Sequence, residues 1–150
     1  MPKQLHYDDK YNEIINTLEN KDSIVIATSD KDKVAARTVY FIMHNSCIYF
    51  LTSKAYDKYK QITKNPNVAL CSDNIQIQGI AKTIGHPELE ENKVILEQFL
   101  NKCPGKEQNS RYAKHKNTVF IEIEIVKISA WINGGREYID PIGKSAYRIG

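Results

Sequence analysis

Three runs rich in β-branched and aromatic residues follow one another between residues 23 and 52. They read SIVIATS, VAARTVYFIM and CIYFLT, and only DKDK and HNS separate them. Such short polar linkers favour hairpin turns between neighbouring strands. The chain is therefore expected to open its sheet with an antiparallel meander, and this much meander excludes a doubly wound parallel sheet.

Three further strands are predicted over residues 68–72, 75–84 and 118–129 by β-rich or alternating patterns. Helical spacing of apolar residues predicts helices over residues 8–20 and 55–63, and from Pro87 to Lys102. Residues 106–117 are polar and are expected to form a loop or a frayed helix, and Asn133-Gly134-Gly135 a turn. On the last strand, Glu122 and Glu124 are expected to face solvent. Together these elements predict one α+β domain, dominated by β structure and spanning residues 1–150, in which six strands form a small antiparallel barrel with helices at its periphery.

Composition excludes several classes of protein. No apolar run approaches the length of a membrane span, and the N-terminus has no signal-peptide core, so a cytoplasmic location without membrane contact is expected. The three cysteines form no CxxC pair and the four histidines have no metal-ligand spacing, so neither a disulfide framework nor a metal site is predicted. The formal net charge of +3 is too small to indicate a nucleic-acid partner.

The segment YFLTSKAYDKYKQITKNP combines the end of a predicted strand with the start of a lysine-rich helix. A helix N-terminus attracts anions, Thr52 and Ser53 add hydroxyl donors, and Lys54 and Lys58 add positive charge. Arg37 lies on the neighbouring predicted strand, where a guanidinium could make a bidentate contact. These residues indicate a phosphate site. Solvated lysines behind an ordinary Thr-Ser cap explain the same pattern and remain an alternative.

The order of ARTVYFI, YFLTSK-x3-K, a helix ending in NP, and IQIQGIAK resembles the pyridoxamine-5'-phosphate-oxidase-like family of flavin-binding split barrels. The resemblance extends over residues 12–131, and the short general-stress and nitroimidazole-reductase-like flavoproteins are the members most similar in length. It implies a six-stranded antiparallel split barrel, usually a homodimer, that binds one FMN at each of two interface sites.

The resemblance also assigns roles to individual residues. Arg37, Lys54 and Lys58 correspond to the phosphate-binding cluster, and Thr52 and Ser53 to the strand end beside it. Thr38, Val39 and Tyr40 correspond to the strand that runs along the flavin ring. Asn74 or Gln76 corresponds to a side chain from the partner subunit, and Trp131 to an aromatic residue that closes the site.

By resemblance, then, the chain is expected to be an FMN-dependent oxidoreductase acting on a small organic substrate, with a donor such as NAD(P)H. The oxidase itself holds its substrate with an arginine-containing motif near the C-terminus. In the tail of this chain only Arg148 corresponds to that motif, so vitamin B6 oxidation is not expected. Haem or a deazaflavin could replace FMN in a related barrel. The alternatives to an enzyme are a non-catalytic flavin carrier or sensor, or a weak nucleic-acid-binding module that uses the lysines with Tyr56 and Tyr59.

Overall fold

The computed structural model describes all residues from 1 to 150. Four α-helices pack against one antiparallel sheet. The helices are α1 (Tyr7–Glu19), α2 (Asp57–Lys64), α3 (Lys93–Lys102) and α4 (Lys106–Lys114), with a short 3-10 turn at Glu90–Asn92 before α3. The strands are β1 (Lys3–Gln4), β2 (Ser23–Asp30), β3 (Lys33–Tyr40), β4 (Ile42–His44), β5 (Cys47–Ser53), β6 (Asn67–Ser72), β7 (Ile75–Gly85), β8 (Thr118–Ile132), β9 (Gly135–Asp140) and β10 (Ser145–Ile149).

The strands pair in the order β1-β10-β9-β8-β7-β6-β2-β3. Outside this path, β5 pairs with β8, and β4 pairs with β5. The long strand β8 is where the sheet splits. Its first half pairs with β5, its last residues pair with β9, and β7 runs along the other edge. The result is an open split barrel, which confirms the predicted fold class.

The sheet has ten strands because four were not foreseen. The run predicted as one strand over residues 34–43 divides at Phe41 into β3 and β4. The two-residue strand β1 and the C-terminal hairpin of β9 and β10 have no counterpart in the prediction. Asn133 and Gly134 form the predicted turn, both with positive φ as a two-residue hairpin loop requires. Residues 106–117 were expected to form a loop or a frayed helix, and residues 106–114 form the helix α4.

The barrel encloses the main hydrophobic core, into which Leu18 and Ile62 project from helices α1 and α2. A second, smaller core lies between the outer side of β4, β5 and β8 and the helices α3 and α4, where Phe99 packs edge to face on Phe120 with ring centroids 5.8 Å apart. Helices therefore cover one end and one outer side of the barrel. The outer face of β2, β6, β7, β8, β9 and β10 carries no helix.

The prediction that both Glu122 and Glu124 on β8 face solvent is wrong for Glu122. Glu124 is exposed as expected, but the Glu122 carboxylate accepts a 2.7 Å hydrogen bond from the Tyr49 hydroxyl and lies 3.3 Å from the Lys82 ammonium. The two carboxylates share a face, yet helix α3 covers part of it, so Glu122 takes part in packing and is not simply solvated.

Candidate functional site: an anion cradle at the barrel end

Arg37 lies on β3, the last strand of the sheet, and extends a row of core side chains. Its register partner is Ile26, which is fully buried, and Ile26 in turn lies opposite Leu70. The guanidinium therefore turns into the end of the barrel. Its Nη1 atom is buried and has no hydrogen-bond partner, and Arg37 forms no ion pair. Buried charged donors are nearly always satisfied, so this one indicates an anionic acceptor.

Helix α2 brings a second cation beside Arg37. The helix lies over this end of the barrel because Ile62 anchors it in the core, and Lys58 falls in its first turn. Burial lowers the pKa of Lys58 from its ordinary value, and the nearby charge of Arg37 lowers it further. Lys58 forms no ion pair either. Two unpaired cations thus repel each other where an anion would relieve both.

Strand β5, which contacts both β3 and α2 and leads into α2, contributes a buried hydroxyl near its end. Thr52 is 0% exposed, and its Oγ1 atom has no hydrogen-bond partner. Ser53 is also buried, and its Oγ accepts a 3.2 Å hydrogen bond from the Ala55 N–H, which shapes the turn into α2. No side chain caps α2 at Tyr56, so its first backbone N–H groups are free. We call Arg37, Thr52, Lys58 and this helix N-terminus the anion cradle.

The structure places the other predicted residues of this group around the cradle. Thr38 and Tyr40 are exposed on β3, while Val39 packs against the barrel core. Lys54 is exposed, and its backbone N–H donates a 2.9 Å hydrogen bond to the Asn117 carbonyl. The edge position of β3 leaves one side of its backbone free of sheet partners, so N–H and C=O groups are accessible beside Thr38 and Tyr40.

Asn74, Gln76 and Trp131 lie away from the cradle. The Asn74 side chain donates a 2.5 Å hydrogen bond to the Trp131 carbonyl, and the Trp131 N–H donates one of 3.2 Å to the Asn74 carbonyl. Gln76 shares a register row with Thr38, but β6 and β2 lie between them. Three strand spacings make the separation about 14 Å. Within one chain, the predicted site therefore divides into two groups.

Between these groups, the outer sheet face forms a cavity of about 740 Å³. Its floor near β3 carries small side chains such as Ala27 and Ala69, and the C-terminal hairpin forms its far wall. There the rings of Tyr138 and Tyr147 stack with centroids 5.0 Å apart. The cavity faces outward from the barrel, on the side that no helix covers.

Arg136 is a residue of this wall that the sequence interpretation missed. Its guanidinium lies 5.5 Å from the Trp131 ring centroid and 5.6 Å from that of Tyr138, and its Nη2 donates a 2.9 Å hydrogen bond to Gln76. By resemblance, Arg148 was the tail residue that corresponds to the substrate-binding arginine motif of the oxidase, but it pairs at 3.0 Å with the buried Glu137. The one signal that could have identified Arg136 is its position directly after the predicted Asn133-Gly134-Gly135 turn.

Tyr112 is a second residue that was missed, because its segment was expected to be a loop or a frayed helix without a part in the site. Its hydroxyl is buried without a hydrogen-bond partner. Burial and, to a lesser degree, the neighbouring Tyr56 raise the pKa of Tyr112 to about 12. Helix α4 thus places an apolar-encased hydroxyl beside the residue that precedes α2.

The open antiparallel barrel, with cations and buried hydroxyls at its end, defines a split-barrel protein. Residues 8–132 match the sequence profile of the family described as "Pyridoxamine 5'-phosphate oxidase". The chain belongs to this family, as its sequence motifs indicated. The hairpin of β9 and β10 lies beyond the matched residues.

Solved structures share the fold at low sequence identity. ChuZ from Campylobacter jejuni is 16% identical with a TM-score of 0.78, over 92% of this chain and 61% of its own. HutZ, the heme storage protein from Vibrio cholerae, is 10% identical with a TM-score of 0.64, over 81% of this chain and 91% of its own. An FAD-binding protein from Mesorhizobium loti is 10% identical with a TM-score of 0.60, over 100% of this chain and 99% of its own. No curated protein sequence matches the chain. None of its helices has both the length and the apolar character needed to cross a membrane.

Proposed function

We propose that the protein binds FMN, with the phosphate in the anion cradle and the ring along β3, and that it acts as a homodimeric oxidoreductase on a small organic substrate. The observation that carries the proposal is the convergence of unsatisfied groups in one corner. Arg37, Lys58 and Thr52 come from three different elements, and none of them has an acidic or hydrogen-bonding partner.

The residues of the cradle fit a phosphate monoester. Such a group carries a charge of about −1.5 to −2 at neutral pH, which two cations balance. Its three terminal oxygens accept hydrogen bonds, and the cradle offers guanidinium, ammonium, hydroxyl and helix N–H donors. A buried carboxylate would need fewer donors. The phosphate alone cannot give micromolar affinity after ordering costs, so burial of an aromatic ring must contribute.

The bare outer face of the sheet supports the proposed homodimer. The half near β3 carries small side chains, including Ala27, Ala36 and Ala69, whereas the half near β10 carries the stacked Tyr138 and Tyr147. A two-fold axis would set the bulky half of each copy over the small half of the other. It would also bring Gln76 and Trp131 of each copy towards β3 of its partner, which unites the two groups of predicted residues.

Haem is the second candidate, because one structural neighbour is a heme storage protein and another is a heme-binding protein. None of the four histidines lines the cavity on the outer face. His44 instead lies 3.0 Å from Gln98, and His86 lies 2.9 Å from the His115 carbonyl. Haem would need Cys71 or a tyrosine as its axial ligand there, and it would leave the cradle without a role. The structure therefore favours the flavin.

Bound FMN would supply the redox chemistry, accepting a hydride from a donor such as NAD(P)H and passing electrons to an organic acceptor. The chain's own contribution is to bind and orient. Arg37 and Lys58 hold the phosphate, the free backbone edge of β3 offers hydrogen bonds to a ring lying along Thr38 and Tyr40, and the second copy excludes water from it. No separate catalytic constellation is needed for this role.

The test is the chromophore of the purified protein. We expect a yellow dimer that releases FMN on denaturation and oxidises NAD(P)H when small organic acceptors are added. The Arg37→Gln/Lys58→Met double variant should fold and dimerise but lack the flavin, whereas Lys60→Met, on the same helix, should retain it. A haem spectrum, or flavin kept by the double variant, would contradict the cofactor assignment. Bound flavin without turnover would support a non-catalytic flavin carrier or sensor. A colourless protein that binds nucleic acid would support the nucleic-acid-binding module.

A further inference from the structure

Arg136 on β9 is held in place at the wall of the outer cavity and has no anionic partner. Its Nη2 donates hydrogen bonds of 2.9 Å to Gln76 and 3.1 Å to Ser129. Its guanidinium also lies within 5.6 Å of the ring centroids of Trp131 and Tyr138. It forms no ion pair, and its buried Nε has no hydrogen-bond partner. A fixed guanidinium with a free buried donor indicates an acceptor that comes from outside the chain.

The charged side chains of the cavity lining leave one positive charge to be balanced. Lys127 and Asp140 have opposite charges, and neither of them forms an ion pair with Arg136. The Asp140 carboxylate instead accepts hydrogen bonds from the backbone N–H groups of Ile142 and Gly143. One unpaired guanidinium matches a monoanion, whereas a phosphate monoester dianion needs the two cations of the cradle. A carboxylate is the monoanion whose two oxygens fit the planar donors of an arginine.

The rest of the same wall is aromatic. Tyr138 and Tyr147 stack on each other and line the cavity from β9 and β10. The cavity volume of about 740 Å³ falls within the range of about 300–1,000 Å³ that small-molecule sites occupy. Aromatic side chains pack favourably on other aromatic rings. A planar ring that bears a carboxylate would therefore use both the tyrosines and the free donor of Arg136.

We propose that the organic substrate is an aromatic carboxylate, that Arg136 pairs with its carboxylate group, and that Tyr138 and Tyr147 contact its ring. The inference rests on the proposed function, because the proposed dimer brings Gln76 and Trp131 towards β3 of the other copy, and Arg136 contacts both. Arg136 then stands beside the flavin ring of that copy. It lies beyond residues 8–132, which match the family profile, so the assignment concerns the C-terminal hairpin of this chain.

The test measures the binding of benzoate and of its neutral analogue benzamide through the fluorescence of Trp131, the only tryptophan in the chain. Because Trp131 lies beside Arg136, the signal reports on the site in flavin-free and in flavin-loaded protein, and calorimetry gives the same Kd independently. We expect benzoate to bind about tenfold more tightly than benzamide, which is the contribution of one charge-assisted contact. Arg136→Gln should abolish this preference. Arg111→Gln, on the exposed side of α4, should leave it unchanged.

Two further variants separate the ring from the charge. Tyr147→Leu should weaken benzoate and benzamide alike, because it removes an aromatic contact that both ligands share. Arg136→Lys keeps the charge but loses the planar pair of donors, so the preference should fall by about threefold. This variant carries the test if circular dichroism shows that Arg136→Gln does not fold.

The outcomes distinguish this inference from the function on which it rests. Equal affinities of benzoate and benzamide for the wild-type protein, or a preference that survives in Arg136→Gln, would overturn the carboxylate site. A preference lost in Lys127→Gln and kept in both Arg136 variants would overturn it as well. Bound FMN without any preference would reject this inference alone. A preference in a protein that binds no FMN would reject the flavin and keep the carboxylate site.

Discussion

Replacing Lys58 by methionine separates the two effects of its charge, one on folding and one on binding. In the ligand-free protein, Lys58 is half-buried beside Arg37 and has no acidic partner. Methionine keeps the unbranched chain and removes the charge. We therefore expect Lys58→Met to bind FMN more weakly and yet to raise the free energy of unfolding of the ligand-free protein at neutral pH.

The size of the binding loss follows from the contact. A hydrogen bond to a charged group is worth about 1.5–3 kcal/mol, so the dissociation constant for FMN should rise by about 10- to 150-fold. Riboflavin lacks the phosphate, and its affinity should not change. The ratio of the two dissociation constants therefore isolates the phosphate contact from any change at the ring.

The pH dependence of stability has a defined sign. Because the folded-state pKa of Lys58 is lowered, its charge costs folding free energy below that pKa. The cost disappears as the pH rises through the folded pKa towards the ordinary value of 10.5. The stability gap between Lys58→Met and wild type should therefore be largest at neutral pH and should narrow in alkaline solution.

Flavin fluorescence titration and urea denaturation measure both effects, with Lys60→Met as the matched control. That residue is exposed on the same helix, so its replacement should change neither quantity appreciably. If wild-type protein bound riboflavin as tightly as FMN, or if Lys60→Met weakened FMN as much as Lys58→Met, the assignment of the cradle to a phosphate would be refuted.

Three further substitutions test other parts of the argument. Thr52→Val removes the buried unsatisfied hydroxyl with little change in volume, so FMN affinity should fall about tenfold while ligand-free stability stays equal or rises by about 1 kcal/mol in urea denaturation; a clear loss of stability would mean that the hydroxyl has a structural partner. Gly79→Ala would place a Cβ atom 2.5 Å from Ile123 Cγ2, so denaturation should show a loss of about 1–3 kcal/mol, and an unchanged midpoint would contradict the packing described here. Glu137→Gln removes the buried carboxylate that pairs with Lys10 and Arg148, so the free energy of unfolding in urea should fall by about 3 kcal/mol. Glu124→Gln, on the exposed face, should leave that free energy almost unchanged. Equal effects of the two changes would show that the ion cluster is not stabilising.

The strands that the sequence predicts are those whose pattern is local. The alternation in residues 75–84 and 118–129 is visible because polar residues face out at every second position, and the structure has strands there. The division between β3 and β4 is not visible, because Phe41 is as apolar as its neighbours. It leaves the sheet pairing only because the chain turns towards β5, and that depends on contacts distant in sequence.

The C-terminal hairpin was not foreseen because its buried positions are not all apolar. Glu137 is 2% exposed, and its position on β9 would predict a solvent-facing side chain from residue type alone. The Glu137 carboxylate can be buried because two cations pair with it. The Lys10 ammonium from α1 and the Arg148 guanidinium from β10 each lie 3.0 Å from one of its oxygens. A charge neutralised by residues more than ten positions away gives no signal in its own segment.

The candidate site, too, could be predicted from the sequence only in part. Resemblance and helix-terminus chemistry identified Arg37, Thr52 and Lys58, which the structure brings together. What the sequence could not reveal is that these groups lack partners, because the absence of an ion pair depends on every residue that packs nearby. The contribution of Tyr112 was hidden for a related reason, since the polar surface of α4 resembles a loop until its contact with the barrel is known.

The pairing of β1 with β10 has a practical consequence for engineering. Lys3 lies directly opposite Arg148, so the first and last strands of the described chain run side by side. A short linker could join them, and new ends could be opened at the exposed turn of Lys31 and Asp32 without disturbing α2. Such a circular permutant should still fold, and reporter domains fused at the new ends would flank the edge of the sheet that carries Arg37.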